Sequence, residues 1–80
     1  MKTTQYFKFI KSRPDRSFIK NEWIQYVIKN PESVMTQTDG RIKIWGKIAE
    51  MDNRYLRVIL LEDRETIHNA FFDRRYKNET

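Results

Sequence analysis

The sequence predicts an α+β fold, with an N-terminal amphipathic helix packed on one face of a four-stranded antiparallel β-meander. Three observations carry that expectation. Ile19, Trp23 and Val27 recur at i, i+4 and i+8, the spacing of one helix face. After Pro31 the apolar period drops to two, most clearly from Arg41 to Ile48. Asp39-Gly40, Met51 to Arg54 and Asp63 to Glu65 are polar turn signals that divide the apolar runs.

Tyr6 to Ile10 alternates aromatic residues with Lys8 and reads as a short extra N-terminal strand or a packed arm. Ser12 with Asp15 three residues on resembles a capping box, and Pro14 suits a first helical turn. The helix is therefore expected over about 14–29, ended by Asn30-Pro31. Val34 to Thr38 reads as the first strand of the meander. Asp39-Gly40 reads as a two-residue type I′ turn, which pairs Val34 with Trp45 and Met35 with Ile44. The second strand follows from Arg41 to Ile48. A three-residue turn at Met51 to Asn53 puts Ile48 beside Leu56. Tyr55 to Glu62 is the third, central strand, and Thr66 to Phe72 the fourth. A turn at Asp63-Arg64 sets Leu60 beside Ile67 and Ile59 beside His68.

With that register one sheet face holds Ile42, Ile44, Ile48, Leu56, Val58, Leu60, Ile67 and Phe71. It receives Ile19, Trp23, Val27 and Ile28 from the helix. Asn69 falls on the same apolar face. The opposite face holds Arg41, Lys43, Trp45, Lys47, Tyr55, Arg57, Ile59, Leu61, His68, Ala70 and Phe72. A one-residue slip in any hairpin would exchange the faces of that strand.

The chain of 80 residues reads as a single domain over 1–80, with a core over about 6–72 and a basic tail at 73–80. Without cysteine it has no disulfide framework, and its lone histidine leaves no metal site, so neither metal nor cofactor is expected. Aromatics at 14% separate it from disordered, highly charged chains. No apolar run nears the ~20 residues of a membrane span. Lys8 interrupts the only candidate signal core, so a cytoplasmic protein without a membrane role is expected.

The formal net charge is +5, from 16 Lys+Arg against 11 Asp+Glu. Such a balance favours a polyanionic partner. Lys43, Lys47, Arg41 and Arg57 could neutralise phosphates while Trp45 or Tyr55 stacks on bases, which points to RNA. An ordinary solvated sheet face carries a similar alternation. His68 has a pKa suited to proton transfer, or it is a half-buried strand histidine. Arg13, Arg16 and Lys20 are either the rim of an anion site or a solvated helix surface. Arg74 and Arg75 either clamp a nucleic acid, dock on an acidic protein or fray. No Gly-rich phosphate loop, nucleophile elbow, HExxH or Cys nucleophile is present.

A helix, then Asp39-Gly40-Arg41, Tyr55-Leu56-Arg57-Val58-Ile59, Thr66-Ile67-His68-Asn69-Ala70 and Asp73-Arg74-Arg75-Tyr76 resembles the small toxin ribonucleases of the BrnT and RelE-like superfamily. Asn69-Ala70-Phe71 stands where BrnT-like chains have Ser-Ala-Arg, and Asp73 where they have Glu. The resemblance implies helices before a four-stranded sheet, metal-independent cleavage through the ribose 2′-hydroxyl, and a small acidic antitoxin as partner. On that reading His68 and Arg57 are catalytic. Arg41, Lys43, Trp45, Lys47, Tyr55, Arg74 and Arg75 bind RNA. The alternatives are a non-catalytic nucleic-acid- or protein-binding module on the same scaffold, and a homodimer whose second copy covers the mixed face.

Overall fold

The computed structural model describes residues 2–76. Two helices, α1 (Gln5–Lys11) and α2 (Asn21–Lys29), precede strands β1 (Ser33–Thr36), β2 (Ile42–Ile48), β3 (Arg54–Leu60) and β4 (Ile67–Phe72). A 3-10 turn at Ala49–Met51 links β2 to β3. The strands form one antiparallel sheet in the order β1-β2-β3-β4, with the helices packed against it. Among the described residues no helix is long and apolar enough to cross a membrane.

The segment expected as an N-terminal strand is the helix α1. Thr4 is its N-cap, and its Oγ1 accepts from the Phe7 N–H at 3.0 Å. Phe7 and Ile10, three apart, turn inward, while Tyr6 and Phe9 stay exposed. The extended part lies just before it. Ile67 donates its N–H to Lys2 O at 2.9 Å, and Thr4 donates to Ile67 O at 3.0 Å. This arm runs parallel to β4 through a bridge between Thr3 and Ile67.

The expected helix over 14–29 starts late, at Asn21. Ser12 closes α1 rather than opening a helix: its Oγ donates back to Phe9 O at 2.6 Å. Pro14 then falls two residues after the C-cap Ser12, a position as natural to proline as a first turn. Residues 13–19 form successive turns, with Ser17 N–H on Arg13 O at 2.8 Å and Ile19 N–H on Arg16 O at 3.1 Å. Ile19 still reaches the core, and Lys11 Nζ donates to its carbonyl.

The core lies between helices and sheet. Ile19, Trp23, Ile24 and Val27 meet Ile42, Ile44, Ile48, Leu56, Val58, Leu60 and Ile67, with Phe7 beside them. Fully burying each such side chain contributes about 1.5–3 kcal/mol before chain entropy is charged. Gly46 permits the close approach of α2 to β2. A Cβ there would meet Val27 Cγ2 at 2.9 Å and Val27 Cα at 3.3 Å.

Each hairpin differs in detail from expectation. The Asp39-Gly40 turn holds three residues rather than two. Gln37 donates to Arg41 O at 2.7 Å, and Gly40, at φ 90°, donates to Gln37 O at 3.0 Å. This is the type I turn followed by a left-handed glycine. The extra residue sets Val34 opposite Ile44 and Met35 opposite Lys43. Between β2 and β3 the partners slide by two, Ile48 facing Arg54 and Trp45 facing Arg57. An even shift leaves the faces as expected. Asp52 and Asn53, both at positive φ, tighten that connection.

The largest consequence comes from β4. Leu60 faces Ile67 as expected, but Ile59 faces Asn69 because His68 is the extra residue of a bulge. Every side chain after it changes face. Ala70 and Phe72 turn to the core, and Asn69 and Phe71 turn outward, correcting the expected placements of all four. Phe72 packs between the rings of Phe18 and Trp23.

Residues 73–76, expected within a separate basic tail, run back along the sheet. Asp73 donates its N–H to Tyr55 O at 2.9 Å. Residues 77–80 of that expected tail lie outside the described residues.

Candidate nucleic-acid interface

The sheet face opposite the helices is built from alternate residues of three strands. β2 presents Lys43, Trp45 and Lys47; β3 presents Tyr55, Arg57 and Ile59; β4 adds Asn69 and Phe71. Trp45, Arg57 and Phe71 fall in one cross-strand row. The Arg57 guanidinium sits 5.4 Å from the Trp45 ring centroid and 4.9 Å from that of Phe71. Lys47 Nζ stands 5.6 Å from the Tyr55 ring.

Asp73 ties this row together. Its Oδ2 accepts from Trp45 Nε1 at 3.1 Å, Arg57 Nε at 3.0 Å and Arg57 Nη2 at 2.5 Å, while Oδ1 accepts from Arg75 N–H at 3.0 Å. The Asp73 side chain is 7% exposed. Burial pushes its pKa up, but the bonds from Trp45, Arg57 and Arg75 outweigh that and hold it below the ordinary carboxylate value. The turn at Asp73 brings Tyr76 flat onto Trp45, with centroids 4.9 Å apart and planes at 15°. Tyr76 also meets Tyr55 edge-on at 4.8 Å. Trp45, the expected stacking residue, is thus buried under an aromatic of its own chain.

Beside this column a cleft of about 700 Å³ opens between the α1–α2 connection, the start of β3 and the end of β4. Arg16, Arg54 and Arg74 line it together with Asp15, Asp73, Phe18, Tyr55, Phe71 and Tyr76. Arg16 is anchored there. Its Nη1 donates to Asn69 Oδ1 at 2.9 Å and to Ala70 O at 3.3 Å, and its guanidinium lies 5.2 Å from the Phe71 ring. Of the candidate rim, Arg13 and Lys20 face Asp15 and Glu22, and Arg16 Nε also lies 3.8 Å from Asp15.

His68, early in β4, and Arg41, just before β2, lie toward the other end of the sheet. His68 Nδ1 is 3.3 Å from Thr4 Oγ1, and its ring stacks on Tyr6 at 5.0 Å. Desolvation, then the positive charge of Arg41, lowers its pKa below 6.5. Arg41 follows the first hairpin, where its Nε lies 3.8 Å from Asp39.

The structure therefore brings together Lys43, Trp45, Lys47, Tyr55 and Arg57 on one face, with Arg74 beside them in the cleft. It does not join His68 to Arg57: their polar partners are separate, Thr4 for one and Asp73 for the other. Arg75 is exposed and contributes its backbone N–H to Asp73. The sequence pattern does not assign Arg54, Phe71, Asp73 or Tyr76 to this face. The misplaced Asn69 was the one signal that pointed toward Phe71. Among the described residues Lys43, Lys47, Arg54 and Arg74 form no ion pair. No family model, curated protein or solved structure matches the chain.

Proposed function

We propose that this protein binds single-stranded RNA on the sheet face opposite its helices, and that it acts by binding rather than by cleavage. The observation that carries the reading is the flat stack of Tyr76 on Trp45, with Tyr55 edge-on and Lys47 and Arg57 alongside. An ordered aromatic column edged by cations offers bases a stacking partner and phosphates a counter-charge. General acid–base cleavage needs its groups within about 3 Å of one scissile site. Here Arg57 is engaged by Asp73, while His68 is engaged by Thr4 and Tyr6.

The test is fluorescence anisotropy with a labelled single-stranded RNA across 50–200 mM salt, followed by a denaturing gel of the recovered strand. Affinity is expected to fall as salt rises, because phosphate contacts release counterions. The combined Lys43→Ala and Lys47→Ala variant is expected to lower the salt slope by about 1–2 and leave the RNA intact. Salt-independent binding, or no binding at the lowest salt, contradicts the reading. Shortened RNA that is absent with His68→Ala restores cleavage.

A further inference from the structure

We propose that the cleft beside the aromatic column is a site for a terminal phosphomonoester of a nucleic-acid strand, with the adjoining base against its aromatic wall. This rests on the RNA-binding reading and adds the part of the strand that the cleft takes. Its volume, about 700 Å³, is of the size that holds one nucleotide-sized ligand.

The charge in the cleft selects the ligand. Five charged side chains line it: Asp15, Arg16, Arg54, Asp73 and Arg74. Asp73 is neutralised by Arg57, at 2.5 Å, and Asp15 is shared between Arg13, at 3.4 Å, and Arg16, at 3.8 Å. Arg54 and Arg74, which form no ion pair among the described residues, remain as a positive excess, and Arg16 has only a share of Asp15. An internal phosphodiester carries one negative charge. A terminal phosphomonoester carries about −1.5 to −2 at pH 7 and offers three acceptor oxygens. Planar, five-donor guanidinium groups match those oxygens better than ammonium groups do.

One of the arginines is already positioned. Arg16 is held through Nη1 by Asn69 and Ala70, which leaves Nη2 without a partner among the described residues. Tyr55 and Tyr76 belong to both the stacking column and the cleft, so a strand lying on the face reaches the cleft with its end. Phe18 and Phe71 extend the apolar wall for the terminal base.

The experiment compares one RNA oligonucleotide in three forms, with a 5′-phosphate, a 3′-phosphate, or hydroxyls at both ends. It uses the intact protein and anisotropy at fixed salt. One phosphorylated form is expected to bind about tenfold more tightly than the hydroxyl form, the scale of one or two charge-assisted hydrogen bonds. The combined Arg54→Gln and Arg74→Gln variant is expected to erase that preference, so that the phosphorylated and hydroxyl forms bind it alike. Both residues are exposed, so the fold survives their replacement. Equal binding of the three forms overturns the cleft proposal and leaves RNA binding standing. If no RNA binds, an NMR titration with adenosine monophosphate decides. Shifts at Tyr55, Phe71 and Arg74 that adenosine does not reproduce keep the phosphate site without the RNA reading. No shifts overturn both.

Discussion

Arg57 lies against Asp73 with two guanidinium nitrogens, Nε at 3.0 Å and Nη2 at 2.5 Å, on the same carboxylate oxygen. Trp45 donates to that oxygen as well. One carboxylate thereby joins β2, β3 and the segment after β4. Asp73→Asn is expected to cost about 2 kcal/mol, the scale of charge-assisted hydrogen bonds in a part-buried pair. Urea denaturation at pH 7 measures it. Because the folded Asp73 pKa is depressed, its contribution is present above the unfolded value near 3.8 and is lost as pH falls through the folded one. The variant should therefore show a shallower loss of stability below about pH 4.

Gly46 sets the distance between α2 and β2. Gly46→Ala forces a methyl against Val27 and is expected to destabilise by about 1–3 kcal/mol. Adding Val27→Ala should recover part of the strain, so the double variant is less unstable than the two single losses predict. A double-mutant cycle by denaturation reads this directly, and strict additivity would contradict the contact.

The bulge at His68 makes a test of facing. Ala70 is 1% exposed against the core. Ala70→Gln is expected to cost about 2–3 kcal/mol, from overpacking and a buried amide. Without the bulge the same side chain would stand in solvent and the change would be nearly neutral.

His68 carries the acid-side prediction. Its folded pKa is lowered, so the unfolded chain binds a proton first and stability falls as pH drops below about 6.5. Melts at pH 7.5 and 5.5 should differ more for the natural chain than for His68→Gln. An NMR titration of the imidazole should show a midpoint below 6.5.

The order of strands and the face of most of their residues were legible because alternation survives any even error of register. Alternation places Trp45, Lys47, Tyr55 and Arg57 together, although Trp45 faces Ser33 in β1 rather than Val34, and Arg57 in β3 faces Trp45 rather than Lys47. Turn size was not legible at Asp39-Gly40, since a left-handed glycine serves two- and three-residue loops alike. Ser12 and Pro14 predict a helix start where α1 ends, because the same residue types end one helix and begin another. The bulge left one trace, an asparagine on an apolar face, which its bond from Arg16 explains. Asp73 and Tyr76 follow the last periodic residue, so nothing in the pattern showed that they fold back onto Trp45.

The N-terminal arm has a consequence for the sheet's borders. Lys2 and Thr4 hydrogen-bond to Ile67, and α1 packs against β4, so that side is covered. On the other side β1 borders no further strand among the described residues, and Val34 and Met35 lie exposed. No charged residue interrupts the stretch from Ser33 to Thr38 to discourage pairing. The sheet can grow at one margin only. Two copies joined through that margin would turn their covered sides outward, so such growth ends at a pair rather than running on into a fibre.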